Sequence, residues 1–120
     1  MSLRRQALIV MAAYYAATGA WPLVHMRSFE AVTGPKTDRW LVKMVGAIAL
    51  ANGAALAFGA RRATVSAETV ALAACSALAF SAIDVAYVTR GRIAPVYLGD
   101  AAIELALAAV VAAGDAIANG

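Results

Sequence analysis

Apolar runs separated by short polar breaks divide the chain into four long segments, at about 6–24, 41–60, 68–89 and 95–117. Each is close to the roughly 20 residues that an α-helix needs to cross a hydrocarbon core of about 30 Å. A spanning backbone must satisfy its own hydrogen bonds in lipid, and the period-two alternation of a barrel strand is absent, so the segments are expected to be helices. The breaks carry helix-ending chemistry: Gly34 and Pro35 precede the second segment, and Gly91 and Pro95 precede the fourth. The turn over residues 60–67 is short. The expected architecture is all-α, a polytopic membrane protein built as an antiparallel four-transmembrane-helix bundle, with residues 1–120 as one integral membrane domain.

Composition agrees with this pattern. The 120 residues are 63% hydrophobic and 14% charged, with a mean hydropathy of +0.76. A soluble domain is nearer half apolar and about a quarter charged. The opening MSLRRQALIVMAAYYAATGAWPLVH has the basic start of a signal peptide, but its apolar part is long enough to span and no small-residue cleavage site follows. It is expected to be a retained first span. Cys75 is the only cysteine, which excludes an intramolecular disulfide and a thiolate metal site, and it is expected to serve packing. No cofactor is implied by any fingerprint.

A net charge of +3 in a soluble chain would raise nucleic acid as a partner. Here the Lys and Arg residues stand at the ends of apolar runs, where they meet lipid headgroups or set topology. Membrane lipids are therefore the expected partners and nucleic acid is not. Four helices put both termini on one side. Arg4, Arg5, Arg61 and Arg62 lie there, and Arg27, Lys36, Arg39, Lys43, Arg90 and Arg92 lie on the other. A plain count would place the larger group in the cytoplasm. Those six are interleaved with Glu30, Asp38, Asp84, Asp100 and Glu104, so pairing is expected to discount them and leave both termini cytoplasmic.

At the end away from the termini, each span presents polar or aromatic side chains. Tyr14, Thr18, Trp21 and His25 follow one another at steps of four, three and four, a single helical stripe. Arg39, Lys43, Gly46, Leu50 and Gly53 do the same on the second span. Ser81 and Asp84, flanked by Tyr87, leave the third; Tyr97, Asp100 and Glu104 enter the fourth. A charged side chain at the centre of a membrane helix costs roughly 2.5 to 3.5 kcal/mol on insertion scales. The three carboxylates should therefore face the bundle interior, with His25, Arg39, Lys43, Arg90 and Arg92 as the available cations. Two readings stand side by side: a half-buried ionic pocket that binds a ligand, or interhelix salt bridges that orient the hairpins. Glu104, the deepest, is the residue expected to carry function. Trp21, Trp40, Tyr87 and Tyr97 fit an interfacial aromatic belt, and Asn52 an interhelical hydrogen bond.

RSFEAVTGPKTDRWLVKMVG, over residues 27–46, and AIDVAYVTRGRIAPVYLGDAAIE, over residues 82–104, together resemble a group of small bacterial four-helix inner-membrane proteins. The resemblance implies the bacterial inner (plasma) membrane and carries no activity or site residue. Small multidrug transporters, which have an essential glutamate in their first span, are a poor match because residues 6–24 contain no acid. Three functions are open. The first is binding or transport of a small polar or amphipathic ligand by Asp84, Asp100 and Glu104, with Arg39, Arg90 and Arg92 at the mouth. The second is a noncatalytic scaffold, in a homo-oligomer or a larger membrane complex, packing through small-residue faces. The third is an enzyme on a lipid-like substrate, with His25, Asp84 or Glu104 as acid/base and Tyr97 as an orienting donor.

Overall fold

A computed structural model describes the backbone of residues 2–119 and side chains 2–113. The helices are α1 (Leu3–Val24), α2 (Met26–Thr33), α3 (Arg39–Arg61), α4 (Ala67–Thr89) and α5 (Val96–Asn119). Four of them, all but α2, are long and apolar enough to cross a membrane. The chain is a polytopic four-helix bundle, and the expected spans match these helices to within a few residues. Positions 114–117 of the fourth expected span lie outside the residues with described side chains.

Local chemistry sets the helix ends. Ser2 caps α1 by accepting the Arg5 N–H at 3.1 Å, and Ser66 caps α4 by accepting that of Thr69 at 3.1 Å. Gly34 (φ 99°) ends α2 and Gly91 (φ 69°) follows α4. Both adopt a backbone conformation that a Cβ opposes.

α1 is central. It packs between α3 and α5, α5 in turn packs on α4, and α3 meets α4 more sparsely. The α1–α3 seam is very close: a Cβ on Gly46 would lie 2.5 Å from the Gly19 carbonyl oxygen, and one on Gly53 would lie 2.7 Å from that of Ala12. Small residues at these steps let two backbones approach where lipid supplies no hydrophobic drive. α3 and α4 are joined by Asn52, whose amide donates to Ser76 Oγ at 3.0 Å, the interhelical bond expected of it.

The interior divides along the bundle axis. The half nearer the termini is a dry core around Leu8, Met11, Leu56, Ala73, Ala77 and Val111. The Arg5 guanidinium closes that end, donating to the carbonyls of Ala60, Arg62 and Ala63 where α3 finishes. Arg4 donates to those of Val111 at 2.7 Å and Ala112 at 3.1 Å on α5. The other half holds the polar layer. Cys75 is exposed on the outer face of α4 rather than packed inside.

Candidate ligand site

Glu104 stands two turns into α5, Asp100 one turn in, and Asp84 just over one turn before the end of α4. At 1.5 Å per residue these depths are about 12, 6 and 8 Å from the respective helix ends. The α4–α5 packing brings the three together, so that one oxygen from each lies within 4.8 Å of the others. Glu104 is 1% exposed and Asp84 6%. Asp100 is half-buried.

The donors to this layer are tyrosines from α1. Tyr15 Oη donates to Glu104 Oε1 at 2.5 Å, and Tyr14 Oη donates to Asp100 Oδ1. Asp84 differs: its Oδ2 is buried and has no hydrogen-bond partner. Among the described residues no Lys, Arg or His pairs with any of the three acids. Of the two readings, the interhelix salt bridges find no pair in this layer among the described residues.

The cations are placed elsewhere. Arg39 pairs with Glu30, Nε to Oε1 at 2.6 Å, at the α2–α3 connection. Arg90 and Arg92 are exposed, and Arg90 lies over the Tyr87 ring, 5.4 Å from its centroid. Lys43 is exposed. His25 also leaves the stripe it begins in, because the chain turns there; its ring Nδ1 accepts the Ser28 N–H at 3.2 Å and caps α2. The long, strongly hydrated cationic side chains reach water from the bundle end, whereas the acids sit a turn or more inside it. Of the six cations whose pairing was expected to discount them in orienting the chain, Arg39 is the one that forms an ion pair among the described residues.

Above the acids is a cavity of about 520 Å³. Tyr14, Thr18 and Trp21 of the expected stripe line it, as does Tyr97, and Asp84, Asp100 and Glu104 form its floor. The second-span stripe does not face it as a unit: Gly46 borders it, while Gly53 is buried against α1 and Leu50 is exposed. Its mouth is lined by Leu41 and Val45 on α3 and by Val96 and Ile103 on α5, all exposed. The space between α3 and α5 thus opens on the flank of the bundle.

α2 roofs the cavity with Phe29, Val32 and Thr33. It is held there by Trp21, whose indole donates to Ser28 Oγ at 2.8 Å and meets the Phe29 ring edge-on at 5.4 Å. Lys36 follows α2. Its ammonium donates to the Thr33 carbonyl at 3.1 Å and lies 5.0 Å from the Tyr97 ring centroid and 5.8 Å from that of Phe29. Phe80 backs the floor, 5.6 Å from the Tyr15 ring. Tyr15, Phe29, Lys36 and Phe80 were not singled out by the sequence reading; the Tyr-Tyr pair a helical stripe from Trp21 was the one available signal.

Chemically, the site joins an acidic floor to an aromatic and aliphatic wall. Three carboxylates this close, without an internal cation, repel one another strongly in a medium of low effective dielectric. A proton or an incoming cation has to balance them. No protein-family model, curated protein or solved structure matches the chain.

Proposed function

We propose that the protein binds a small amphipathic ligand in the cavity between α3 and α5, and that the acid layer is the end of the site that fixes the ligand's polar group. The observation that carries this reading is a buried acidic floor, supplied with tyrosine donors but, among the described residues, with no paired cation, beneath a cavity of largely apolar walls whose one cation, Lys36, stands at the roof. A purely structural layer would be dry and internally neutralised. A binding cavity is apolar with a few convergent polar groups.

The reading extends to transport. A ligand carried with or against protons would use Glu104 as the coupled group, since an acid deep in a bundle is where translocation pathways place one. The setting we propose is a bacterial inner membrane with both termini in the cytoplasm, so that the cavity lies toward the noncytoplasmic side. Arg4 and Arg5 support this orientation, since basic residues flanking a span favour the cytoplasmic side.

The test uses protein in phosphatidylcholine nanodiscs, with fluorescence read from Trp21 in a Trp40→Phe background. The probes are 4-phenylbutylamine, its trimethylammonium analogue, the corresponding alcohol and 5-phenylpentanoate. At least one should bind saturably, and Glu104→Gln should weaken it tenfold or more. Gln keeps an acceptor for Tyr15, and circular dichroism of the variant checks that the helices are kept. If none of the four binds, or if Glu104→Gln leaves every affinity unchanged, the ligand-binding reading is wrong.

A further inference from the structure

We infer that the ligand carries a protonated amine, a cation with N–H groups to donate, attached to an apolar body. The inference rests on the ligand-binding reading above and names the ligand's chemical class. Its basis is the unequal treatment of the three acids. Glu104 Oε1 and Asp100 Oδ1 each receive a tyrosine O–H, whereas Asp84 Oδ2 is buried among them without a donor. A buried acceptor left without a partner is unfavourable, more so when charged. A proton shared among the three acids supplies a donor within the layer and still leaves it negatively charged, so the complement lacking on the cavity side is a hydrogen-bond donor that also carries positive charge.

The rest of the cavity limits which cation fits. A bare metal ion would find oxygen ligands at the floor but nothing to fill about 520 Å³ of mainly apolar space. An organic cation fills both parts. Its ammonium would sit on the floor formed by Asp84, Asp100 and Glu104, the Asp84 carboxyl turning to bring its covered Oδ2 to the N–H, and its body would lie along Tyr14, Phe80 and Trp21, rings whose faces also attract a cation. A quaternary ammonium has the charge but no N–H, so it leaves Asp84 Oδ2 unsatisfied. Lys36 lines the cavity at its roof, where its ammonium donates to the Thr33 carbonyl and lies by the Tyr97 and Phe29 rings, and among the described residues it forms no ion pair with Asp84.

The same chemistry has two sources: a free amphipathic amine, or the headgroup of phosphatidylethanolamine entering through the slot between α3 and α5. A lipid's access would be lateral, past Val45 and Ile103.

The experiment is the same nanodisc titration, read for order among the probes. In phosphatidylcholine, which has no N–H on its headgroup, 4-phenylbutylamine should bind at least tenfold more tightly than its trimethylammonium analogue, and more tightly still than the alcohol or the carboxylate. Asp84→Asn should reduce that preference to threefold or less. The wild-type comparison requires no variant, so a misfolded Asp84→Asn would not remove the test. Replacing part of the phosphatidylcholine with phosphatidylethanolamine then separates the sources: a weakened apparent affinity for the amine identifies the headgroup as a competitor, and an unchanged one identifies the free amine. Either result supports the ammonium assignment. Equal binding of amine and quaternary probes, or tighter binding of the alcohol or carboxylate, would overturn the assignment while leaving a ligand site in place. Binding of Mn²⁺ alone that is lost in Asp84→Asn, with no amine binding, would also overturn it. Absence of binding by all four organic probes would remove the underlying reading instead.

Discussion

Tyr14 and Tyr15 are neighbours in sequence, about 100° apart around α1, and they serve acids one turn apart on α5. The consequences of losing them should differ. Tyr15→Phe leaves a carboxyl that is 1% exposed without its donor, which should cost about 1–3 kcal/mol. Tyr14→Phe should cost less, because Asp100 is half-buried and can reach water. Unfolding of the two variants in mixed detergent, followed by circular dichroism, would rank them, and the reverse order would contradict the assigned partners. The acids themselves were legible in the sequence because charge in a membrane helix needs a reason. Their partners were not. An aromatic at helical spacing looks the same whether it faces an interface or an acid 89 positions away, and the six nearby Lys and Arg offered a simpler pairing that the depth of the acids forbids.

At the scale of the element, the four spans could be read from hydropathy alone, while α2 could not. Eight residues are too short a stretch to tell a helical period from chance, and the sequence MRSFEAVT is no more apolar than a loop. What makes it a helix is tertiary: the His25 cap at one end, Gly34 at the other, and Trp21 and Phe29 holding it on the bundle. The α1–α3 seam was legible only as a run of small residues, without its partner. Its tightness predicts an asymmetry among glycines. Gly46→Ala presses a methyl into the Gly19 backbone and should destabilise by about 1–3 kcal/mol, as overpacking does. Gly99→Ala meets nothing within 4 Å and should stabilise by up to about 1 kcal/mol through helix propensity. Thermal unfolding of the two in the same nanodiscs checks the contrast, and similar shifts would deny the close approach.

For the whole molecule, charge balance governs orientation. With Arg39 set aside as paired, five basic residues at the cavity end face four at the terminal end, a margin small enough for single positions to matter. That margin alone favours the cavity end in the cytoplasm; if Arg4 and Arg5 beside α1 outweigh it, as proposed, a green fluorescent protein fused to the C-terminus fluoresces, as it does in the cytoplasm. Arg61→Gln with Arg62→Gln should dim it by at least half as part of the population inverts. A fusion dark in the unaltered chain would place the cavity on the cytoplasmic side.

The central position of α1 also bears on how the bundle is assembled. α1 precedes both of the long helices it packs against, α3 and α5, so its two faces stay open through the synthesis of the segments between them. Until α3 arrives, Gly19 presents bare backbone to lipid; until α5 arrives, Tyr14 and Tyr15 have no acid to bond and Arg4 lacks its carbonyls on that helix. A nascent chain arrested once α4 has left the ribosome but before α5 has should therefore be an intermediate whose tyrosine hydroxyls lie open in the membrane, and that form, rather than the mature bundle, is the stage at which a membrane chaperone would have something to recognise.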